Sequence, residues 1–351
     1  MIKLKPLADQ AIVLTGATSG IGLATAREMA QAGAKLVLVA RNEAALETLC
    51  TELRATGAEA WPVAGDIADP ATAERAADEA IARFGRIDSW VNDAGAFIYG
   101  SLEDTPIEDQ KRLFDVTYWG TVQSALVAAK HMKASGGALV NVGSVLGERA
   151  MALQGTYCAA KFAVKAITDT LRMEFAMSGY PISVTLIKPG PIDTPYMEHA
   201  RNLMGSPGTR NPPPAYHPRV VAKAILHACA HPVRNLVVGG AGLGFAVFGR
   251  LFPRLTDAAM IAVARPVQTS SDPGRLERRD NLYEPKEDLA ETSSLGGLPP
   301  RRTSLTLEAQ LNPLAATAAS LGAAALLMLL RRVTRTRPVA PPSPVCRLPR
   351  R

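Results

Sequence analysis

The stretch that decides the fold is AIVLTGATSGIG, residues 11–22. Its apolar first part predicts a buried strand, and its last residues open a helical pattern. The glycines between them allow a tight turn and let backbone N–H groups approach a pyrophosphate at a helix N-terminus. A strand, a glycine-rich turn and a helix in this order predict dinucleotide binding. A glycine cluster without that context would indicate only a tight turn.

Strands and helices alternate from this turn to about residue 240. Continuous Val, Ile, Leu and Ala runs predict strands that are covered on both faces, at 11–15, 35–40, 60–63, 87–91, 138–143, 183–188 and 236–238. Alanine-rich segments of helical length lie between them, such as 21–32, 43–56 and 70–84. The pattern predicts an α/β fold: a doubly wound parallel sheet, Rossmann-like, in a single domain with a C-terminal extension. The ligand crevice is expected at the carboxyl ends of the strands.

Composition and charge narrow the classes of function. The chain has 351 residues, 47% hydrophobic and 20% charged, which excludes wholesale disorder and a polytopic membrane protein. Of its 39 Lys and Arg residues, seven lie in 331–351, which leaves 32 basic against 32 acidic residues in the body. A neutral body lacks the basic footprint of nucleic-acid binding. Four scattered cysteines and the absence of a visible signal peptide predict reduced thiols and a cytoplasmic protein.

The C-terminal third differs in character from the rest. Residues 1–240 are predicted to form the catalytic domain, and the following segments are an apolar, partly amphipathic extension (241–265), a flexible linker (266–304), an apolar helix (305–332) and a basic, disordered tail (333–351). Residues 314–330 carry no charge and just reach the length of a membrane span. They predict membrane contact, with spanning the bilayer, lying on it and covering an oligomer interface all left open.

The glycine spacing G-x-x-x-G-x-G resembles the short-chain dehydrogenase/reductase family, whose signature is T-G-x-x-x-G-x-G. Gly65-Asp66-Ile67 follows the third strand, where the family has an Asp that bonds the adenine edge. Asn92-Asp93-Ala94-Gly95 resembles the family's N-N-A-G turn, with Asp93 in place of the second Asn. The resemblance implies a cofactor site that includes Gly16, Ser19, Gly20, Ile21, Gly22, Asp66, Ile67, Asn92, Ala94 and Gly95.

The end of the second strand bears on the choice of cofactor. Sites that select NAD usually place an acidic residue there to bond the ribose 2′-hydroxyl, whereas this chain has Ala40 followed by Arg41. The planar guanidinium of Arg41 suits a 2′-phosphate, and the family resemblance points the same way. The sequence therefore predicts NADP rather than NAD, and a solvated loop arginine is the alternative.

Tyr157 and Lys161 are one helical turn apart, so both lie on the same helix face. A tyrosine needs a nearby cation to act as an acid/base at neutral pH, and Lys161 can supply it. Ser144 lies thirteen residues before Tyr157, at the carboxyl end of a predicted strand. The resemblance implies that Ser144 and Tyr157 bond a carbonyl oxygen, that Tyr157 transfers its proton, and that Lys161 also bonds the nicotinamide ribose. A hydrolase would need a G-x-S-x-G elbow, which this serine lacks.

Two further segments are interpreted through the resemblance. Thr117 occupies the place of the family's Asn, which holds a water beside the lysine, and it is a tentative catalytic residue. The segment 188–194 resembles the family's P-G motif and implies nicotinamide contacts from Pro189, Gly190, Ile192 and Thr194. An apolar substrate is suggested by Leu146, Met151, Tyr196, Met197 and Met204.

These observations favour an NADP-dependent oxidoreductase that acts on a lipophilic alcohol/carbonyl pair. The alternative is an NADP-binding scaffold or redox sensor with little turnover, which the departures at Asp93 and Thr117 would support. The resemblance implies a homodimer or homotetramer formed through the helices around Thr117 and Tyr157. No metal is predicted, because His227 and His231 have no evident third ligand.

Overall fold

A computed structural model of the chain describes residues 2–271, 280–286, 289–296 and 298–318. In chain order its strands are β1 (Ala11–Thr15), β2 (Lys35–Ala40), β3 (Ala60–Ala64), β4 (Ser89–Asn92), β5 (Ile98–Tyr99), β6 (Gly137–Val142), β7 (Ile182–Pro189), β8 (Arg201–Asn202), β9 (Gly208–Thr209), β10 (Asn235–Val238) and β11 (Thr269–Ser270). Seven of them form one parallel sheet in the order β3-β2-β1-β4-β6-β7-β10. The predicted doubly wound α/β fold is therefore confirmed.

The helices are α1 (Gly20–Gln31), α2 (Glu43–Ala55), α3 (Pro70–Phe84), α4 (Ile107–Phe114), α5 (Gly120–Met132), α6 (Gly155–Met177), α7 (Tyr196–His199), α8 (Pro218–Ala230), α9 (Gly240–Leu251), α10 (Pro253–Gln268) and α11 (Leu305–Leu311). A π-helical turn, Asp115–Trp119, joins α4 to α5, and 3-10 turns span Leu7–Asp9 and Val145–Gly147. Helix α1 packs against α8, and α3 packs against α5. The continuous burial of β1 and β6 requires such cover on both faces of the sheet.

Local signals in the sequence set several boundaries. Helix α3 begins after Asp69, whose carboxylate accepts the Ala71 N–H at 3.1 Å, and ends at Gly85, whose φ is +71°. Strand β4 begins two residues later than predicted. The backbone of Asp88 still bonds Ala11 and Ala138 on either side, and its carboxylate accepts the Ala11 N–H at 2.9 Å and ion-pairs with Lys5 at 3.0 Å.

The order of the strands positions the ligand crevice. From β1 the chain builds outward through β2 to β3, and it then returns to the other side of β1 to place β4. The carboxyl ends of β1 and β4 consequently form a topological switch point, where open α/β sheets bind their ligands. The glycine turn follows β1, and the segment 93–95 follows β4.

After β10 the chain adds two helices, α9 and α10, which contact each other. They meet at Phe252, because Pro253 begins a new helix and lacks the N–H that would continue the first. Among the described residues, no helix combines the length and the apolar character needed to cross a bilayer. Residues 319–330 of the uncharged segment, and the basic tail 333–351, lie outside the described residues.

Residues 280–286 and 289–296 form no helix or strand, and together they are called the strap. Although the sequence predicts a flexible linker over 266–304, the strap makes defined contacts with the body. The Gly20 N–H donates to the Ala290 carbonyl at 2.9 Å, and Glu291 ion-pairs with Arg27 at 3.0 Å and with Arg219 at 2.9 Å. The chain divides into a compact unit, Met1–Leu307, that contains the sheet and the strap, and a second unit, Glu308–Arg351.

Candidate active site

Two glycines shape the turn between β1 and α1. Gly16 has φ +75°, and a Cβ there would lie 2.9 Å from the backbone nitrogen of Ala94. At Gly22 a Cβ would come within 2.1 Å of the Gly16 carbonyl oxygen. A side chain at either position would collide with backbone, so the turn and the first turn of α1 can approach each other only with glycine.

The turn after β4 is tied to β1 by Thr15. The Thr15 hydroxyl accepts the N–H of Asp93 at 3.2 Å and of Ala94 at 3.3 Å. The side chain of Asn92 points into the protein, where its amide donates to the Asn141 side chain at 2.9 Å. Asn92 and Gly22 therefore lie behind the cavity wall, and Ala94 and Gly95 lie on it.

A cavity runs along the carboxyl ends of β1, β2 and β3. Ten of the residues that the sequence predicts for cofactor binding line its wall, namely Gly16, Ser19, Gly20, Ile21, Arg41, Asp66, Ile67, Ala94, Gly95 and Thr194. Asn281 and Leu282 of the strap complete the wall beside Arg41. The sequence-predicted residues thus come together, with a contribution from the strap that the sequence did not indicate.

Two arginines, Arg41 and Arg112, make the polar contacts at the end of this cavity beside β2 and β3. The Arg41 guanidinium donates to the backbone carbonyls of Leu282 at 3.4 Å and Tyr283 at 3.1 Å, and also to that of Asn281. Burial lowers the pKa of Arg41, with the positive charge of Arg112 adding to the effect and Asp66 opposing it. Asp66 ion-pairs with Arg112 and accepts the Ala68 N–H at 3.0 Å.

Ser144, Tyr157 and Lys161 meet at the carboxyl end of β6. Ser144 lies two residues after the strand, and its hydroxyl accepts the Leu146 N–H at 3.1 Å. Tyr157 and Lys161 lie on α6, with the Lys161 ammonium 5.8 Å from the centroid of the Tyr157 ring. The Lys161 Nζ donates to the Val142 carbonyl at 2.7 Å, which holds it at the end of β6.

The electrostatics of these groups follow from their burial. Burial raises the pKa of Tyr157, and a hydrogen bond with Ser144 opposes that rise. Burial lowers the pKa of Lys161, while the negative charge of Asp93 opposes the change. Burial likewise raises the pKa of Asp93, opposed by Lys161 and by a hydrogen bond from the Gly22 N–H. The carboxylate that replaces the family's Asn is therefore electrostatically coupled to the lysine.

Thr117 lies in the π-helical turn and is fully buried. Its hydroxyl accepts the Ala96 N–H at 3.1 Å, and its carbonyl accepts the Thr121 hydroxyl at 2.8 Å. Thr117 thus supports the segment after β4 and is absent from the wall of either large cavity among the described residues. A part in proton transfer stays a prediction.

A second cavity adjoins the first, and the two share the lining residues Ile21, Asp93, Phe97, Thr194 and Tyr196. Much of its wall is apolar, and its polar lining residues are Asp93, Ser144, Gln154, Tyr157, Lys161, Thr194, Tyr196 and Asn211. The predicted Pro189, Gly190, Ile192 and Thr194 line it, as do Leu146, Met151 and Tyr196. Met197 and Met204, also suggested for an apolar substrate, are buried away from this wall, and Met204 packs with Tyr99 and Ala200.

The family model described as short chain dehydrogenase matches residues 10–204, which is more than half of the chain. The chain belongs to the short-chain dehydrogenase family. It is 44% identical to an uncharacterized oxidoreductase, YxnA, of Bacillus subtilis over 285 residues, covering 81% of this chain and 80% of the relative.

The chain is also similar to two further proteins. Dehydrogenase/reductase SDR family member 7B of Bos taurus is 35% identical over 271 residues, or 74% of this chain and 82% of that protein. The crystal structure of a short chain dehydrogenase/reductase from Burkholderia phymatum, in complex with NAD, has a TM-score of 0.65 at 26% identity. It covers 72% of this chain and 96% of its own. The chain is accordingly an NAD(P)-dependent oxidoreductase of this family.

Sequence reasoning missed several groups of this short-chain dehydrogenase site. Phe97 packs on Tyr157 with ring centroids 4.9 Å apart and on Tyr196 at 4.0 Å. The buried Gln154 accepts the Tyr196 hydroxyl at 3.0 Å. Helices α9 and α10 contribute Phe245, Met260, Val263 and Val267 to the cavity wall. The available signals were the position of Phe97 just past the N-D-A-G turn and the apolar character of 241–265.

Proposed function

We propose that this protein is an NADP-dependent oxidoreductase that interconverts a lipophilic alcohol and its carbonyl. The observation that carries the proposal is the convergence of Ser144, Tyr157 and Lys161 where the two cavities adjoin. In this proposal the first cavity binds the dinucleotide through the glycine turn and Arg41, and the second cavity binds the substrate in its apolar chamber. A carbonyl group in the second cavity can reach both catalytic hydroxyls.

The chain's own residues handle the proton and the developing charge. The nicotinamide, when bound, supplies the hydride to the carbonyl carbon in reduction and accepts it from the alcohol in oxidation. The Ser144 hydroxyl donates a hydrogen bond to the substrate oxygen. In reduction the Tyr157 phenol gives its proton to that oxygen, and in oxidation the phenolate takes it back. Lys161 stabilises the phenolate, and its position next to the cofactor cavity suits a bond to the nicotinamide ribose.

The preference for NADP rests on Arg41. Its guanidinium lies on the wall of the first cavity beside Ala40, where an NAD-selective site would place an acid. A guanidinium can make two charge-assisted bonds to a 2′-phosphate. The NAD in the Burkholderia phymatum structure belongs to that protein and leaves the preference of this chain to experiment.

A lipophilic substrate is supported by the second cavity. Its wall combines Val145, Leu146, Met151, the proline run 212–214 and the side chains from α9 and α10. Burial of apolar substrate surface against such a wall stabilises the complex by roughly 25 cal/mol per Å². The polar residues of the wall outside the catalytic groups, such as Gln154 and Asn211, are fewer than the apolar ones. The wall reaches from the catalytic groups to Phe245, Met260 and Val267, which suits a substrate larger than a short-chain alcohol.

Assembly into a homodimer or homotetramer is part of the proposal. Trp119 and Leu126 are exposed on the π-helical turn and α5, and Phe162 and Met173 are exposed on α6. These elements are the ones around Thr117 and Tyr157 through which the sequence predicts association. Large apolar side chains that remain exposed on neighbouring helices are typical of interfaces.

A scaffold or redox sensor that binds NADP with little turnover is the second candidate. The observation that favours it is Asp93, a half-buried carboxyl group whose negative charge acts on the pKa of Lys161. Cytoplasmic localisation, the absence of a nucleic-acid partner and membrane contact through 314–330 stay predictions. Of that segment only 314–318 are described.

The test is NADPH oxidation by the purified protein with a panel of ketones and aldehydes from small and polar to steroid-like. Tyr157→Phe is the control, because it removes the transferable proton and keeps the ring. We expect turnover that prefers lipophilic carbonyls and falls by about 10²- to 10⁴-fold in the variant, with NADPH binding retained. Tight NADPH binding without turnover in the native protein would instead support the scaffold or sensor.

A further inference from the structure

Helices α9 and α10 expose an unusual amount of apolar surface. Of twenty large hydrophobic side chains that are exposed in the described part of the chain, eight lie between residues 243 and 263. Five of them surround the turn between the two helices. We call residues 247–255 the apolar tip; its exposed side chains are Val247, Phe248, Leu251, Phe252 and Leu255.

The side chains of the apolar tip are strongly exposed and lie close to one another. Leu251 is 66% exposed, Phe252 52% and Leu255 59%. Phe248 and Phe252 are one helical turn apart, with ring centroids separated by 5.0 Å. Contiguous apolar surface of this kind is uncommon on a soluble monomer and marks an interaction site.

The charged residues of the apolar tip are both arginines. Arg250 and Arg254 are exposed within it and lie next to the leucines. The nearest acidic residue in sequence, Asp257, is ion-paired with Arg149. Among the described residues neither arginine has an ion pair. Apolar side chains interleaved with such arginines match a surface that is apolar inside and anionic outside, which is the chemistry of a bilayer with acidic headgroups.

The opposite side of the same helices lines the apolar cavity. Phe245 of α9 and Met260 and Val267 of α10 face the chamber that contains Ser144 and Tyr157. The exposed and the cavity-lining side chains are therefore neighbours on two short helices. An element built this way can be in contact with lipid on one side and with an apolar substrate on the other.

We propose that the apolar tip docks on the surface of an anionic lipid bilayer, with Leu251, Phe252 and Leu255 in the acyl boundary and Arg250 and Arg254 at the headgroups. Docking of this kind requires no membrane-spanning helix. A second copy of the chain fits less well, because a two-fold interface would place each patch against itself and bring the arginines together. The surface is also distinct from the α5 and α6 surface assigned above to association.

The first experiment is flotation of the full-length protein with phosphatidylcholine vesicles that contain or lack phosphatidylglycerol. Leu251→Asp is compared with Met177→Asp, which adds the same charge at the end of α6 where the side chain is 86% exposed. We expect binding that needs the anionic lipid, and a bound-to-free ratio at least tenfold lower in Leu251→Asp only. Both substitutions replace exposed side chains, so folding should be unaffected.

The second experiment locates the contact without relying on loss of binding. Leu251→Trp and Met177→Trp are mixed separately with vesicles whose lipids carry bromine on the acyl chains. The proposal expects quenching of the tryptophan at position 251 well beyond that at position 177. Equal quenching, or flotation that persists in Leu251→Asp, would assign membrane binding to another part of the chain and overturn it.

Two further outcomes also count against the proposal. Absence of vesicle binding would overturn it, and so would a change of oligomeric state in Leu251→Asp, which would identify a second copy as the occupant. Neither experiment contains substrate or measures turnover. Failure of the docking surface and failure of the proposed function can therefore be told apart.

Discussion

The guanidinium of Arg41 donates a hydrogen bond of 3.1 Å to the backbone carbonyl of Tyr283, a residue 242 positions later in the chain. The same guanidinium also reaches the carbonyls of Asn281 and Leu282. Three of its hydrogen bonds go to neutral carbonyls, and the negative charges of Asp66 and Glu284 act on it without lying among its hydrogen-bond acceptors. The strap therefore presents Arg41 at the wall of the cofactor cavity as an oriented cation, which is what recognition of a 2′-phosphate requires.

Replacing Arg41 by alanine should abolish the discrimination between NADPH and NADH. A lost charge-assisted hydrogen bond costs about 1.5–3 kcal/mol, so we expect the Kd for NADPH to rise about 10- to 150-fold and that for NADH to change little. Arg41→Lys keeps the charge without the planar fork and should fall between. Binding followed by nucleotide fluorescence measures all three. Equal losses for both nucleotides would show that Arg41 serves the strap and not the phosphate.

The strap is anchored by Glu291, and its removal should loosen the cavity wall. Glu291 is largely buried and bridges Arg27 on α1 and Arg219 on α8. Glu291→Ala leaves two cationic side chains without this partner, so the strap should open locally. We expect faster proteolytic cleavage within 280–296 and a several-fold higher Kd for NADPH. Lys130→Ala, which removes an exposed ion pair with Glu74, is the control and should change neither.

Asp93 should set the alkaline limit of carbonyl reduction. Its negative charge opposes the burial that lowers the pKa of Lys161, and it contributes to the raised pKa of Tyr157. Reduction needs Tyr157 protonated and Lys161 charged, and both conditions fail as pH rises through these pKa values. Asp93→Asn should lower both pKa values.

The descending limb of the kcat/KM profile for reduction should consequently move to lower pH in Asp93→Asn. The asparagine oxygen can still accept the Gly22 N–H, so the turn should persist and NADPH affinity should stay near the native value. Profiles measured with one lipophilic ketone for both proteins test this. An unchanged limb would remove Asp93 from the electrostatics of the reaction.

The fold and most of the site were predictable from the sequence because they depend on local patterns. Strand runs at 11–15 and 35–40 reproduce β1 and β2, and Tyr157 with Lys161 needs only helical spacing to share a face. The contacts of the strap were not predictable. The carbonyls at 281–283 carry no side-chain signature, and long-range closure of an irregular segment onto Arg41 leaves no periodicity in the sequence.

The sequence shows Thr117 at the place of the family's Asn but does not predict its contacts. Removing its hydroxyl in Thr117→Val leaves the buried Ala96 N–H without that acceptor, so the free energy of unfolding should fall by about 1–3 kcal/mol. Thr121→Val removes a hydroxyl bonded to the Thr117 carbonyl and serves as the matched control, with a smaller loss expected. Denaturant unfolding measures both. A kcat reduced in Thr117→Val alone, at temperatures where both variants are folded, would place this hydroxyl in the proton path.

Phe245 should determine how well the enzyme uses large apolar substrates. It lies on the cavity wall, whereas Phe248, three residues later on α9, is exposed and lies outside that wall. Phe245→Ala removes apolar contact that only a substrate reaching α9 can make. A buried phenyl contributes about 1.5–3 kcal/mol, so kcat/KM for steroid-like ketones should fall about tenfold or more, with small aldehydes little affected. Phe248→Ala, assayed without lipid, should match the native enzyme on both classes. An equal loss of kcat/KM for small and large carbonyls would mean that Phe245 supports the site as a whole. It would contradict the prediction that the apolar chamber selects the substrate.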